Sequence, residues 1–524
     1  MSQAAEPMRV VGDITRHHAA VRPDTVAMIY EGRTTTYAAF DRHTSQVANG
    51  LIAAGVGPQR RIAYLDKNSD RFFETYLGAA KANVVLVGVN WRLAPPEIAY
   101  IINDAGAEVL FIGQEFLGIL SQMQGQLPKV RQIVVLGGDG GDYPDFDAWR
   151  DGQDAADPHV PVASSDIAIQ LYTSGTTGHP KGAQITNANV MAGVGYVASG
   201  DIGRWGENEV NLVCLPIFHI GGAGWGLNGI FAGGTSVILR EVDPGAILRV
   251  FSSHRVTKAG FVPAVMLMLL NHPDCATADF GPLDLIAYGA SPIPLDLLRQ
   301  AVATFKCDFI QLYGLSETTG PALTLQPQDH NPEGGQKMRS AGKPLPGVDL
   351  HIVGGDGQDL PPGEVGEIVL RGPVVMAGYW NLPEATAKAI VDGWFHTGDA
   401  GYTDADGYLY VHDRVKDMIV TGGENVYPAE VESAMFGHPA IADVAVIGVP
   451  DERWGEAVKA VVVLKPGAAA TADELIAHAR QGVAGFKCPK TVDFVDVLPR
   501  NPSGKLLKRE LRAPYWEGRE RQVN

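Results

Sequence analysis

The chain has 524 residues, 45% of them hydrophobic, and a net charge of −17 at pH 7. That length suggests roughly two to four domains with substantial cores. The acidic balance argues against a nucleic-acid partner, because a polyanion is repelled at long range. The four cysteines, Cys214, Cys275, Cys307 and Cys488, show no CxxC or Cys/His metal spacing and mostly sit in apolar company. They read as core thiols in a reducing, cytoplasmic setting. The first residues lack a basic head followed by an apolar run, and no apolar run approaches ~18 residues. Neither a secretory signal nor a spanning helix is therefore expected, and peripheral membrane contact stays open.

Helix and strand signals alternate through the first third. Tyr37 to Gly55 predicts a helix with Phe40, Val47, Leu51 and Ala54 near one face, ended by Gly55. Arg61–Leu65 predicts a strand, Arg71–Ala82 a helix, Val84–Val89 a strand, and Pro95 to Ile102 a helix. Glu108–Ile112 and Gln132–Leu136 are further strands, and Gly137–Pro161 reads as a loop rich in Gly, Asp and Pro. The rhythm implies a mainly parallel sheet with helices on its faces. It resumes with a helix at Asn187–Ala198, strands at Val210–Leu215 and Thr235–Leu239, and a helix at Pro244–Ser252. Asp284–Tyr288 and Asp308–Tyr313 are strands that close on Gly-rich turns, with a helix beginning at Pro294 between them. Ser340 to Gly372 reads as a small antiparallel β unit. After Arg414-Val415-Lys416 the pattern resets to a compact α+β unit: helices at Pro428–Met435 and Ala472–Gln481, strands at 442–448, 457–464 and 491–497. The expected fold is α/β. Residues 1–415 form a large N-terminal domain of layered α/β sheets with a small β unit, and 416–524 a small C-terminal α+β domain.

The densest chemistry is Tyr172-Thr-Ser-Gly-Thr-Thr-Gly-His-Pro-Lys-Gly182, after the buried strand Ile167–Leu171. Hydroxyls of Thr173, Ser174, Thr176 and Thr177 can donate to phosphate oxygens. Gly175 and Gly178 let backbone N–H groups approach an anion, and Lys181 adds a compact cation. This is a polyphosphate cradle, but not the common P-loop, which needs Gly directly before its Lys and Ser or Thr after it. Tyr313-Gly-Leu-Ser-Glu317 offers a ring to stack on a base and a carboxylate for Mg²⁺; a Glu at a helix N-terminus reads the same way. Gly-rich turns after strands are where open α/β sheets bind ligands, so the cradle, 288–292 and 313–317 are expected at one crevice. Asp399, in a Gly-bounded turn, suits two vicinal ribose hydroxyls or a turn cap. Arg414 offers a fork for phosphate or ribose, or a surface ion pair. His219 follows a buried strand and is structural or functional. A triad of His219, Ser316 and Glu317 lacks a Gly-x-Ser-x-Gly elbow, and Gly193-Val-Gly-Tyr-Val-Ala198 falls inside a helix rather than between strand and helix. Lys505 sits on a Gly/Pro loop.

Taken in this order, these stretches resemble the adenylate-forming superfamily, which includes acyl- and aryl-CoA synthetases, luciferase and peptide-synthetase adenylation domains. The matching segments are Tyr172–Gly182, Leu215–Gly221, Tyr288–Pro292, Tyr313–Glu317, Gly393–Asp399, Asp413–Asp417, Gly422–Pro428 and Asn501–Lys505. The overall look is closest to bacterial fatty-acyl-CoA ligases. The resemblance implies that Thr173 to Lys181 hold the β- and γ-phosphates of ATP. Gly289, Ala290, Ser291 and Tyr313, with Gly314 and Ser316 beside them, would hold the nucleotide. Glu317, with Thr173, would bind Mg²⁺, Asp399 the ribose, and Arg414 the ribose–phosphate region. Lys505 would reach the substrate carboxylate and α-phosphate, and Lys416 would be the hinge of a mobile C-terminal domain. Gly422, Gly423 and Glu424 would line the pantetheine path. His219 would gate the acyl pocket and, with Lys181, Glu317 and Lys505, serve catalysis. Ser316 stands where Thr is commoner, and keeps the hydroxyl.

The expected activity is ATP-dependent ligation of an apolar carboxylic acid to CoA through an acyl adenylate, releasing AMP and pyrophosphate. The chain ends shortly after Lys505, which favours free CoA over a fused carrier; a separate carrier protein is the lesser reading. Amino-acid-activating relatives place an Asp after the Phe218 position, whereas His219 stands here, so an amino acid is disfavoured. Pocket walls are expected from Phe218, Ile220, Gly221, Gly222, Trp225, Tyr288 and Leu315. A medium- or long-chain fatty acid is the first expectation, and an aryl, terpenoid or steroid-derived acid the second. A homodimer is the prior for a chain of this kind.

Overall fold

The computed structural model describes all residues except 1–6, 174–179, 207, 292, 332–334, 415–416, 422–423, 452, 501–505 and 518–524. Its parallel strands divide between two sheets. In the first, of seven strands, Ile167–Thr173, Val85–Gly88, Arg61–Leu65, Val109–Gly113 and Gln132–Leu136 run parallel in that spatial order. Arg61–Leu65 and Val109–Gly113 are buried at every position, as strands covered on both faces require. Lys181–Thr186 and then Gly378–Tyr379 extend one edge antiparallel.

The second sheet has nine strands, in the order Lys343–Pro344, Gly320–Leu325, Asp308–Leu315, Leu285–Gly289, Lys258–Phe261, Val210–Val213, Thr235–Ile238, Val26–Tyr30, Arg33–Thr36. The hairpin Val26–Tyr30/Arg33–Thr36 comes first in the chain yet joins this sheet, with Met28 opposite Ser236. In each sheet the strand order reverses within the parallel centre. Arg61–Leu65 lies between Val85–Gly88 and Val109–Gly113, and Val210–Val213 lies between Thr235–Ile238 and Lys258–Phe261. Crevices at the carboxyl ends of such strands are the ligand positions of open α/β sheets.

The expected β unit is present as a third, antiparallel sheet: Asp349–Val353, Gly366–Arg371, Trp394–Thr403 and Ile390–Val391, with Leu409–Arg414 also on Trp394–Thr403. A fourth sheet holds Glu424–Val426, Ile419–Thr421, Gly455–Leu464, Ile441–Asp451 and Thr491–Phe494. With helices Pro428–Phe436 and Ala472–Gly482 it encloses an apolar core of its own, including Ile419, Val431, Val446, Val462 and Leu475. No helix among the described residues is long and apolar enough to cross a membrane.

One segment differs from expectation, and another carried no predicted element. The loop predicted at Gly137–Pro161 contains a helix, Phe146–Asp151, whose N-terminal amides at Asp147 and Ala148 donate to the Asp145 carboxylate. It is too short for its period to show, and it is held by Phe146 and Trp149 packing edge-on against Phe111. The glycine-rich stretch after His219 is a helix too, Ile220–Ala232. Glycine weakens helices by about 1 kcal/mol each, so propensity hides it. Packing restores it: a Cβ on Gly226 would stand 2.2 Å from the Phe73 ring, and one on Gly222 2.3 Å from the Pro216 carbonyl. These glycines let the helix close on Asp70–Lys81 and on the turn before it. We expect Gly226→Val to destabilise the protein by about 1–3 kcal/mol through overpacking; an unchanged thermal melt would refute the close contact.

Candidate functional site

Residues of three sheets meet around the strand Asp308–Leu315 and the turn that follows it. Strand Ile167–Thr173 delivers Thr173, whose hydroxyl donates to Glu317 Oε1 at 3.1 Å. Glu317 sits in the turn Ser316–Thr318 directly after strand Asp308–Leu315 and is 7% exposed. Tyr379, on the edge strand beside Lys181–Thr186, donates its hydroxyl to the same Oε1 at 2.9 Å. Its ring also lies 5.1 Å from Lys181 Nζ. Among the described residues Oε2 accepts no hydrogen bond. The third sheet enters through Asp399, which is buried and accepts from the Tyr313 hydroxyl at 2.8 Å. Asp399 is also the antiparallel partner of Arg414.

The strand ends around these groups are irregular where the backbone must come close to something. Gly289 pairs with Leu312, and a Cβ on it would stand 2.1 Å from the Leu312 carbonyl. Ala290 next to it holds φ +68°, a left-handed conformation rare for residues with a Cβ and enriched at functional sites. Ser291 follows it. A register shift lies between Tyr313 and Gly314; such bulges re-aim side chains beside active sites.

Next to this cluster, at the second sheet's order reversal, opens a cavity of about 260 Å³. His219, Ile220, Gly221, Gly222, Trp225, Tyr288, Gly289, Ala290, Gly314, Leu315 and Ser316 all belong to its walls. The Trp225 indole N–H donates to the Leu212 carbonyl, and the Tyr288 hydroxyl is paired with His330 Nε2. Both polar handles are thus satisfied by protein, which leaves the rings as apolar walls. Phe218, expected in the wall, lies outside it. It is buried with its ring 4.7 Å from the His219 ring and its backbone against Gly88.

The turn presenting His219 is pinned from the first sheet. Buried Asn68 donates to the carbonyls of Cys214 and Leu215, and accepts from the Ile217 N–H. Burial, helped by the charge of Arg92, pushes the His219 imidazole down to about 4. It is therefore neutral at physiological pH, and its Nε2 is shielded without a partner among the described residues.

Ser174, Gly175, Thr176, Thr177, Gly178, Lys416, Gly422, Gly423 and Lys505 lie outside the described residues, and Arg414 is placed by its backbone alone. Glu424 is exposed on the strand Glu424–Val426. Sequence reasoning missed Tyr379, whose signal is an aromatic pair, Tyr379-Trp380, after a glycine. It also missed Tyr76 and Asn228, polar residues in otherwise apolar helices that line the cavity.

Residues 15–380 match the AMP-binding enzyme family, and residues 430–505 match the AMP-binding enzyme C-terminal domain. The chain belongs to the AMP-binding enzyme family. It is an adenylate-forming acid–thiol ligase. It is 42% identical over 513 residues to the fatty acid–[acyl-carrier-protein] ligase ScoC of Streptomyces coeruleorubidus, covering 97% of each chain. It is 40% identical over 499 residues to feruloyl-CoA synthase of an Amycolatopsis species, covering 95% of this chain and 97% of that one. The crystal structure of the anthranilate CoA ligase AuaEII in complex with anthranoyl-AMP superposes with a TM-score of 0.91 at 28% identity, covering 98% and 99% of the two chains.

The enclosed His219 carries a pH signature. Its folded value lies below the unfolded value of about 6.5, so between about 4 and 6.5 the unfolded chain binds a proton that the native one does not. Stability then falls as pH falls through that window. His18 and His330, also pushed down to about 4 by burial, act in the same direction. We expect His219→Phe to shrink the drop in melting temperature between pH 7 and 4.5; an unchanged drop would show that this imidazole is not desolvated.

Proposed function

We propose that this enzyme joins an apolar carboxylic acid to CoA through an acyl adenylate, consuming ATP and releasing AMP and pyrophosphate. One observation carries the reading: a strand end bearing a hydroxyl and an ammonium (Thr173, Lys181), a buried carboxylate (Glu317) and a cavity whose described walls carry no Asp, Glu, Lys or Arg meet at one place. A carboxylate is a poor acyl donor because its leaving group would be oxide. Attack on the α-phosphorus of ATP converts that oxygen into part of AMP, a far better leaving group. Lys181 with Thr173 and residues 174–178 would hold the pyrophosphate portion and offset the charge that accumulates as it departs. Gly289, Ala290, Ser291 and Tyr313 would hold the base, and Asp399, oriented by the Tyr313 hydroxyl, the ribose with Arg414.

Glu317 is suited to Mg²⁺, a hard cation held through one or two carboxylates plus substrate phosphates. Its carboxylate is buried with only hydroxyl donors on one oxygen, and a bound Mg²⁺ would supply charge neutralisation to the phosphates. Lys505 would steady the attacking carboxylate. In the second half-reaction residues 416–524 would turn about Lys416, withdraw Lys505 and admit the thiol along Gly422, Gly423 and Glu424. The thiol displaces AMP from the acyl carbon, and neutral His219 in the cavity wall would screen that carbon from water.

Among the described residues the walls contain no Asp, Glu, Lys or Arg, so neither an amino acid's ammonium nor a second carboxylate finds a partner among them. Two apolar classes remain, a fatty chain and a ring-bearing acid. The volume of about 260 Å³ is small for a ligand pocket, which typically spans about 300–1,000 Å³. The flat faces of Trp225 and Tyr288 also suit a ring. We therefore favour a compact ring-bearing acid over a long fatty chain.

With ATP, Mg²⁺ and such an acid, AMP and pyrophosphate should form in equal amounts, and a thioester only when CoA is added. Formation of ADP would overturn the reading; thioester formation on a carrier protein but not on CoA would overturn the choice of acceptor. Lys416→Pro, which fixes φ at the proposed hinge, should slow thioester formation from preformed acyl adenylate at least tenfold while sparing pyrophosphate release. Equal rates in both half-reactions would remove the hinge.

A further inference from the structure

The inner end of the cavity is not apolar. The cavity follows the helix Ile220–Ala232 from His219 and Ile220 at its start to Leu227 and Asn228. Eight residues at 1.5 Å each put Asn228 about 12 Å beyond Ile220. Ile169, also in the wall, lies four residues back along the strand from Thr173, about 13 Å from that strand end. Tyr76 lines the same cavity from the helix Asp70–Lys81. It lies one turn beyond Phe73, the residue that Gly226 touches. The helix crossing therefore brings Tyr76 and Asn228 to the end of the cavity remote from the nucleotide side.

Both residues are more than nine-tenths buried, Tyr76 at 2% and Asn228 at 9% exposure. Neither side chain hydrogen-bonds a protein group among the described residues. Nor are their polar atoms walled off, as those of Asn211 and Ser236 are. Burial without a partner costs a hydroxyl or carboxamide on the order of 1–3 kcal/mol, and native interiors rarely leave such groups unpaired. The other buried tyrosine of this cavity, Tyr288, has its partner in His330. Two unpartnered groups at one cavity end are the signature of a site completed by its ligand.

We propose that Tyr76 and Asn228 select an acid bearing a neutral oxygen substituent, a hydroxyl or carbonyl, at the end remote from its carboxylate. Burial pushes the Tyr76 phenol well up, so it remains an O–H donor at neutral pH. Asn228 both donates and accepts, which matches a hydroxyl in either role. A charged substituent is excluded by the same uncharged walls. This inference rests on the ligase reading above and narrows it from apolar acids to oxygenated ones.

The test uses the full-length enzyme and acid-dependent pyrophosphate release. Hydroxylated and unsubstituted members of three series serve as probes: 4-hydroxycinnamate and cinnamate, 3-(4-hydroxyphenyl)propanoate and 3-phenylpropanoate, 10-hydroxydecanoate and decanoate. We expect kcat/KM to favour the hydroxylated acid by about tenfold or more in at least one series, the factor that an unpaired buried group of about 1.4 kcal/mol implies. In that series Tyr76→Phe, which keeps the ring, and Asn228→Leu should each reduce the ratio to within about threefold. Unsubstituted acids used as well as hydroxylated ones in all three series, or a ratio that neither variant moves, would overturn the inference and leave the ligase standing. Pyrophosphate release with none of the six acids would overturn both.

Discussion

The site depends on one buried carboxylate held between two hydroxyls. Glu317 follows a strand of the nine-stranded sheet, whereas Thr173 and Tyr379 belong to the seven-stranded one. The three residues are far apart in the chain, so this pair of hydrogen bonds is a tertiary clasp between sheets. It is also one-sided: among the described residues both hydroxyls donate to Oε1 and no group donates to Oε2. A hard cation arriving with phosphates would complete it. The same contacts that join the sheets thus leave Glu317 Oε2 without a hydrogen-bond donor among the described residues.

The rest of the site is arranged by the order reversals of the sheets. Strands that leave a reversal in opposite directions diverge, and the space between their carboxyl ends is open. In the nine-stranded sheet that opening becomes the cavity, roofed by the helix Ile220–Ala232. The helix can lie close because of its glycines. Gly222 sits against the carbonyls of Leu215 and Pro216, and Gly226 against Phe73. A helix of stronger formers would be more stable alone, yet its side chains would separate it from its neighbours. Here local helical preference is given up in favour of close packing beside a ligand space.

The chemistry inside the cavity follows from where polar atoms point. Trp225 and Tyr288 turn their polar atoms to protein partners and show flat faces to the space. His219 is kept neutral by burial, and among the described residues no Asp, Glu, Lys or Arg reaches the wall. What remains for recognition at the far end is the unpartnered pair Tyr76 and Asn228. Their position divides the acid's recognition into carboxylate activation at one end and substituent reading at the other.

Much of this was legible in the residues themselves. Period and breakers placed Tyr37–Ala53, Arg61–Leu65, Asp308–Leu315 and the helix at Pro428 within a few residues, because long periodic elements carry their own signal. Thr173, Lys181, Glu317 and Asp399 were singled out because hydroxyl, ammonium and carboxylate chemistry shows in residue type and local turn context. Three things were not legible. The glycine-rich helix after His219 opposes its own propensity and exists only through packing. Tyr379 becomes a partner of Glu317 only when an edge strand of two residues docks beside Lys181–Thr186. Tyr76 and Asn228 look like incidental polar residues in apolar helices until the helices cross. Sequence determined the chemistry available and the elements that carry it, since these depend on neighbours in the chain. Tertiary structure alone decided which of those groups face one another and which are left without a partner, since that depends on contacts between residues far apart in sequence.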